Sequence, residues 1–164
     1  MGIQFNADEA FEMAERIEEK GEAFYRRAAG LQKDKKNAGF LLKLADMEKN
    51  HRATFAGMRA KLSAEAKEST AYDPYAEAAM YLQSMADGHG GEGSQVAADR
   101  LTGQESLETI LQIAIGLEHK SIIFYLGLRE MVPGKLGRDK VDAIIAEEKS
   151  HVVTLTKELK AAKK

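Results

Sequence analysis

The sequence predicts an all-α protein, a four-helix bundle made of two antiparallel helix hairpins joined by a long crossover. Apolar residues recur at spacings of three and four through four long segments of the 164-residue chain, as they do on the buried face of a helix. Two prolines, no tryptophan and many Ala, Glu, Lys and Leu residues also favour helix. Short polar turns join the segments in two pairs, which predicts two hairpins. The length is close to that of one domain, which predicts a single domain over 1–164.

The first predicted hairpin covers about 6–66. Its first helix opens at Asn6, an N-cap with Glu9 three residues on, and ends near Gly30. Its second helix begins at about Asn37. The stripes expected to be buried consist of Phe11, Ala14, Ile17, Gly21, Phe24 and Ala28, and of Leu41, Leu44, Phe55, Met58 and Leu62.

The second predicted hairpin covers about 103–162. Its first helix opens with a capping-box pattern from Thr102 to Glu105 and stops at the Pro-Gly pair at 133–134. Its second helix begins near Gly137. The stripes expected to be buried consist of Leu107, Ile110, Ala114, Leu117, Phe124 and Leu128, and of Val141, Ile144, Ile145, Val152, Leu155 and Leu159.

The predicted crossover, about 67–102, is too long for a simple up-down-up-down bundle and is typical of ferritin-type wiring. Asp73 and Pro74 precede a predicted short helix, and a glycine-rich loop at 87–94 follows, with the composition of a flexible linker. The short helix would carry Tyr75, Ala78, Ala79, Tyr81, Leu82 and Met85.

The second half of the chain repeats the first after a shift of 100 residues. Besides aromatic residues, the repeat keeps polar residues that interrupt the apolar stripes: one Glu in the first and third helices, and Glu-x-x-His in the second and fourth. Residues three apart are neighbours on one helix face. The shift places Glu18, Phe24, Tyr25, Glu48 and His51 on Glu118, Phe124, Tyr125, Glu148 and His151.

Four carboxylates in a bundle interior must be neutralised, because an unpaired buried charge costs several kcal/mol. No Lys or Arg lies on these stripes, whereas two divalent cations would balance the four charges. One Glu from each of two helices and Glu-x-x-His from each of the others is the di-iron arrangement of ferritin-like bundles. The predicted metal ligands are Glu18, Glu48, His51, Glu118, Glu148 and His151.

Carboxylate and imidazole ligands without sulfur suit two iron ions, with manganese or zinc as possible substitutes. The absence of cysteine excludes a cysteine-ligated iron–sulfur centre. A single Glu-x-x-His would be weak evidence for a metal site, because in a Glu-rich chain the motif is usually an exposed pair on a helix. Here both copies lie on apolar stripes, and each follows another stripe Glu by thirty residues.

Two tyrosines lie near the predicted ligands. Tyr25 and Tyr125 follow Glu18 and Glu118 by seven residues, two turns along the same face, so we expect their hydroxyls to hydrogen-bond ligand carboxylates. The alternative is a buried aromatic residue whose hydroxyl finds any nearby partner.

Four other polar residues are expected to lie outside the site. His119 is turned about a hundred degrees around the helix from the preceding Glu and should lie on the surface or in an interface. His89, in the glycine-rich loop, should be solvated. Glu22 and Glu147 flank the ligand faces, but the repeat gives them no acidic counterparts, so we expect outer or surface groups.

The chain resembles the rubrerythrin family of ferritin-like di-iron proteins over both hairpins. The resemblance implies that Glu48 and Glu148 bridge two irons, that Glu18 and Glu118 are terminal ligands, and that each iron has one motif His. It also implies a homodimer that reduces hydrogen peroxide. The residues that carry it are those at 17–25, 48–51, 117–125 and 148–151.

Two departures from rubrerythrin limit the resemblance, and a comparison with bacterioferritin bears on haem. Rubrerythrin proper has a cysteine-ligated rubredoxin domain that supplies electrons, so this chain would need a separate electron-donor protein. Rubrerythrin also has an extra carboxylate where this chain has Ser121, so the resemblance does not extend to the iron shift that uses it. Bacterioferritin shares the six-ligand pattern, but it has its haem methionine where this chain has Lys49, which predicts that no haem is bound.

The leading functional hypothesis is a non-haem di-iron oxidoreductase that reduces peroxide or dioxygen. The alternatives are an iron-oxidising storage protein and a metal-stabilised binding module without turnover. The net charge of −2 gives no reason to expect a nucleic-acid or membrane partner. No signal peptide or membrane span is recognisable, so a cytoplasmic location is expected.

Overall fold

The computed structural model of the chain describes residues 6–62, 80, 84, 97–132 and 137–163. Its four long helices, in chain order, confirm the all-α fold class. They are α1 (Ala7–Gly30), α2 (Lys35–Arg59), α3 (Leu107–Met131) and α4 (Arg138–Ala162).

The starts of α1 and α2 follow from their side-chain caps. The Asn6–Glu9 capping box is present as predicted. Helix α2 begins two residues earlier than expected, because the Asp34 carboxylate accepts a hydrogen bond from the backbone N–H of Asn37 at 2.8 Å.

The predicted cap of α3 is wrong. Ser106 is the N-cap, and its hydroxyl accepts a hydrogen bond from the backbone N–H of Thr109 at 3.1 Å. Glu105 does accept a hydrogen bond from the backbone N–H of Thr102, at 2.9 Å, but this contact closes a turn before the helix. The sequence has two residues suited to an N-cap, Thr102 and Ser106, and the helix begins after the second.

Neighbouring helices run antiparallel, and the apolar stripes pack into two clusters at opposite ends of the bundle. The first cluster combines residues of α1 and α4 near their starts with residues of α2 and α3 near their ends, including Phe11, Phe55 and Val141. The second combines the other ends, including Leu41 and Leu155. The middle of the bundle, between these clusters, is left to polar residues.

Arg27 joins the end of the crossover to the bundle, because its guanidinium donates hydrogen bonds to the backbone carbonyl of Leu101 at 2.7 and 3.2 Å. Within the predicted short helix only Met80 and Ser84 are described, and both are helical. The rest of that helix and the loop at 87–94, with His89, lie outside the described residues, and the predicted hairpin and crossover boundaries stay predictions. Among the described helices, none is long and apolar enough to cross a membrane.

Candidate metal centre

The structure brings the six predicted ligands together in the middle of the bundle. Each of the four helices contributes at least one of them, and none exposes more than 4% of its surface. These residues are Glu18 on α1, Glu48 and His51 on α2, Glu118 on α3, and Glu148 and His151 on α4.

The six residues form two interlocking groups, each able to hold one metal ion. In each group the four ligand atoms lie within 4.8 Å of one another. Glu48 and Glu148 belong to both groups, whereas every other member belongs to one. The first group is Glu18, Glu48, His51 and Glu148, and the second is Glu48, Glu118, Glu148 and His151.

Glu148 lies between the two imidazoles. One carboxylate oxygen is 3.1 Å from Nδ1 of His51, and the other is 2.8 Å from Nδ1 of His151. The two rings are stacked with centroids 5.8 Å apart. The outer glutamates are more distant, with Glu18 at 3.6 Å from His51 and Glu118 at 3.7 Å from His151. Each Nδ1 therefore faces carboxylates of its own group.

The atoms that face this centre suit a metal ion better than they suit one another. Within the described residues, several buried ligand atoms have no hydrogen-bond partner, although such atoms are normally satisfied. Carboxylate oxygens and imidazole nitrogens are ligands for iron, manganese and zinc. The unpartnered atoms are Oε2 of Glu18, Oε1 of Glu48, both carboxylate oxygens of Glu148, and Nδ1 of His51 and of His151.

The two tyrosines are hydrogen-bonded across the bundle, not within their own hairpins. The Tyr25 hydroxyl of α1 donates to the Glu118 carboxylate of α3, and the Tyr125 hydroxyl of α3 donates to the Glu18 carboxylate of α1. Each tyrosine thus orients a carboxylate of the opposite half. Burial, followed by repulsion from the glutamates, raises both tyrosine pKa values well above 10, so the hydroxyls keep their protons.

Without metal, protons neutralise much of the buried charge. Burial raises the pKa of Glu118 to about 8, and burial with repulsion from Glu18 raises that of Glu48 well above its usual value. Burial would also raise the pKa of Glu148, but attraction to the adjacent imidazoles of His151 and His51 outweighs burial and holds the pKa at about 2. One ionised carboxylate therefore lies between two histidines.

The pKa values of both imidazoles favour the protonated form at neutral pH before a metal ion binds. Burial alone would lower the histidine pKa values. Attraction to the carboxylates of Glu148 and Glu18 outweighs burial at His51 and raises its pKa to about 11. Attraction to the carboxylates of Glu118 and Glu148 raises the pKa of His151 to about 9. A metal ion at either position would therefore take the place of protons.

The two glutamates expected to be outer or surface groups differ in their contacts. Oε2 of Glu147 is 3.0 Å from Nε2 of His51, so this residue is an outer group that contacts a candidate ligand. Glu22 instead accepts a hydrogen bond from Arg26 at 2.8 Å. His119 is exposed. The adjacency of Glu147 to Glu148 could not reveal the contact, because it runs from α4 to α2.

The absence of a side chain at Gly21 leaves space for the Glu48 carboxylate. A Cβ atom built on Gly21 would lie 3.0 Å from Oε2 of Glu48 and 3.4 Å from its carboxyl carbon. The corresponding residue of the second half is Ser121, which is buried, whereas Gly21 is partly buried. The absence of a side chain at position 21 therefore allows Glu48 its present place between the two groups.

We expect Gly21→Ala to weaken metal binding while leaving the metal-free fold intact. The alanine favours helix by roughly 1 kcal/mol, but its methyl group must displace a carboxylate shared by both groups. Overpacking of this kind costs roughly 1–3 kcal/mol, about 5- to 150-fold in affinity. Zinc titration and thermal melts would separate the two effects. Gly116→Ala is the control, because a Cβ there meets nothing within 4 Å, and equal affinities for both variants would contradict the prediction.

Comparison with known proteins supports the fold. A crystal structure from Thermotoga maritima, described as a candidate ferritin-like diiron-carboxylate protein, superposes with a TM-score of 0.71. The match covers 96% of each chain at 23% sequence identity. No family model and no curated protein matches the sequence. The chain therefore has the ferritin-like four-helix fold.

Proposed function

We propose that this chain is a di-iron oxidoreductase of rubrerythrin type that reduces hydrogen peroxide or dioxygen. The observation that carries the proposal is the pair of interlocking groups, because two shared carboxylates, Glu48 and Glu148, can bridge two ions held by otherwise separate ligands. A mononuclear site would need neither the sharing nor the second histidine.

Iron is the proposed metal, with manganese or zinc as possible substitutes. The groups contain only carboxylate and imidazole ligands, which suit these three metals. Glutamates can change between terminal and bridging binding, which tolerates a change of metal charge better than a rigid histidine cage. The similar Thermotoga protein is described as a candidate ferritin-like diiron-carboxylate protein, which agrees with this choice.

The bound ions would supply the two electrons that, with two protons, convert hydrogen peroxide into two molecules of water. The chain's own residues would do the rest. The Tyr25 and Tyr125 hydroxyls hold protons against Glu118 and Glu18 and fix the orientation of those carboxylates. The apolar clusters on both sides exclude water from the centre. A separate donor protein would return the electrons.

Ser121 bears on which oxidant is preferred. It lies one turn after Glu118, where rubrerythrins have an additional carboxylate, and its side chain is buried. Ser121 itself supplies no carboxylate toward which an iron could move. The proposal therefore covers both oxidants, which must be compared side by side.

The test is stopped-flow mixing of anaerobically loaded Fe(II) protein with peroxide and, separately, with air-saturated buffer. We expect the diferrous protein to be oxidised by at least one oxidant and to be restored by a chemical reductant, over repeated cycles. Zinc-loaded protein is the control for reactions away from the metals. Diferrous protein inert to both oxidants would refute the proposal, and accumulation of many irons per chain in air would indicate storage instead.

We also propose that the chain forms a homodimer through the outer face of α3, the surface that carries Ile115, His119, Ile122, Ile123 and Leu126. Ile123 exposes 43% and Leu126 36% of its surface. Their counterparts on α1 are Ala23 and Arg26, so the same face of the other half is less apolar. A contiguous exposed apolar patch marks an interaction site more often than scattered apolar residues do.

Light scattering with size-exclusion chromatography tests this proposal. We expect the wild-type chain to elute as a dimer and Ile123→Glu to elute as a monomer, because the substitution places a charge in the interface. Ala23→Glu, at the corresponding position of α1, should leave the dimer intact. A wild-type monomer at all concentrations, or a dimer unaffected by Ile123→Glu, would contradict it.

A further inference from the structure

The two halves of the candidate metal centre match in their ligands but differ around the histidines. His51 and His151 both direct Nδ1 toward carboxylates of the centre. Nε2 of His51 is 3.0 Å from Oε2 of Glu147. Nε2 of His151 is buried and has no hydrogen-bond partner within the described residues.

The repeat explains this difference. A shift of 100 residues relates Glu147 on α4 to Met47 on α2, so the carboxylate near one imidazole is replaced by a thioether at the corresponding position. A methionine sulfur is only a weak acceptor. The difference therefore lies in the sequence and is not a matter of side-chain rotation.

A carboxylate that is hydrogen-bonded to the imidazole nitrogen facing away from the metal affects how the other nitrogen binds that metal. Glu147 accepts a hydrogen bond from Nε2 of His51, which leaves the Nδ1 lone pair for an ion and holds the ring in place. The negative charge of Glu147 also makes Nδ1 of the imidazole a stronger electron-pair donor to a metal ion. Loss of such a partner typically lowers metal affinity about 10- to 100-fold. His151 lacks this support.

We propose that Glu147 is a positioning residue that makes the two metal positions unequal, so that the position bounded by Glu18 and His51 fills first and binds its ion more tightly. The inference rests on the dinuclear centre of the proposed function. Glu147 would not contact a metal ion directly. The six ligands match between the two halves, so they alone would not make one position fill before the other.

Two separate binding steps would not by themselves test this inference, because two ions that share carboxylates repel each other and separate the steps anyway. The test must identify the position that fills first. Zinc is a suitable probe because it is diamagnetic and does not oxidise. The imidazole nitrogens of His51 and His151 can be followed by NMR in protein with ¹⁵N-labelled histidine, assigned with single His→Gln variants.

With less than one zinc ion per chain, we expect the His51 signals to change before those of His151. Glu147→Ala should weaken the first binding step about 10- to 100-fold and remove the order. Because 54% of the Glu147 side chain is exposed, this variant should fold. Asp142→Ala is the control, since it removes the same charge from an exposed position of α4 and should leave the order unchanged.

Met47→Glu provides a test by gain of function. It places a carboxylate at the position that corresponds to Glu147, and we expect the two histidines then to respond together. Binding of two ions with His151 first, simultaneous response in the wild type, or an unchanged order in Glu147→Ala would overturn this inference and leave the dinuclear centre standing. Failure to bind zinc or iron would overturn both.

Discussion

Replacing Glu148 by Gln is expected to abolish tight metal binding at both positions. Its two carboxylate oxygens face the two imidazoles, and it belongs to both groups of candidate ligands. The variant should also destabilise the metal-free protein, because two protonated histidines lose their ionised partner. Breaking a buried ion pair costs on the order of 3 kcal/mol, which lowers the melting temperature by about 6–12 °C in a chain of this size.

The matched variants make the expectation specific. Glu18→Gln removes a ligand from one group only and should leave one tightly bound ion, whereas Glu148→Gln should leave none. Glu19→Gln, whose side chain is 66% exposed, should bind two ions with unchanged stability. Elemental analysis after desalting gives the number of ions, and melts in the presence of a chelator give the stability. Two ions in Glu148→Gln would show that this residue does not bridge.

Metal binding at pH 7 is expected to release three to four protons for each pair of ions. In the metal-free protein the pKa values of about 11 for His51, about 9 for His151 and about 8 for Glu118 keep these three groups protonated. Glu48, whose pKa is raised well above its usual value, adds up to one more. Ions that bind these atoms must displace the protons, so affinity falls as the pH falls.

The measurement is a zinc titration in weakly buffered solution with a pH indicator, repeated at several pH values. Since each released proton changes the overall constant tenfold per pH unit, we expect a loss of about 1,000-fold or more per unit for the pair of ions. Both ions should leave the protein in acid. Full retention well below pH 6.5, the ordinary pKa of histidine, would argue against histidine ligands.

Much of the fold could be predicted because two signals coincide. The helical stripes locate the buried faces, and the repeat of 100 residues shows that the chain is two related hairpins. The candidate ligands stood out for the same reason: a Glu or His at a stripe position costs too much to be accidental. The structure places all six within one buried centre.

The contacts between helices could not be predicted from stripe positions. The sequence placed Tyr25 near a carboxylate, but the partner is Glu118 of the other hairpin, since α1 and α3 run antiparallel. The contact from Glu147 to His51 depends on the packing of α4 against α2. The start of α3 was misplaced because Thr102 and Ser106 both have capping chemistry, and local pattern does not decide between them.

The iron-to-protein ratio after anaerobic Fe(II) loading and desalting tests the central claim most directly. The arrangement of Glu48 and Glu148 between two otherwise separate ligand groups predicts two irons per chain by elemental analysis. A ratio of one or none, with the protein folded and at neutral pH, would contradict a dinuclear iron centre.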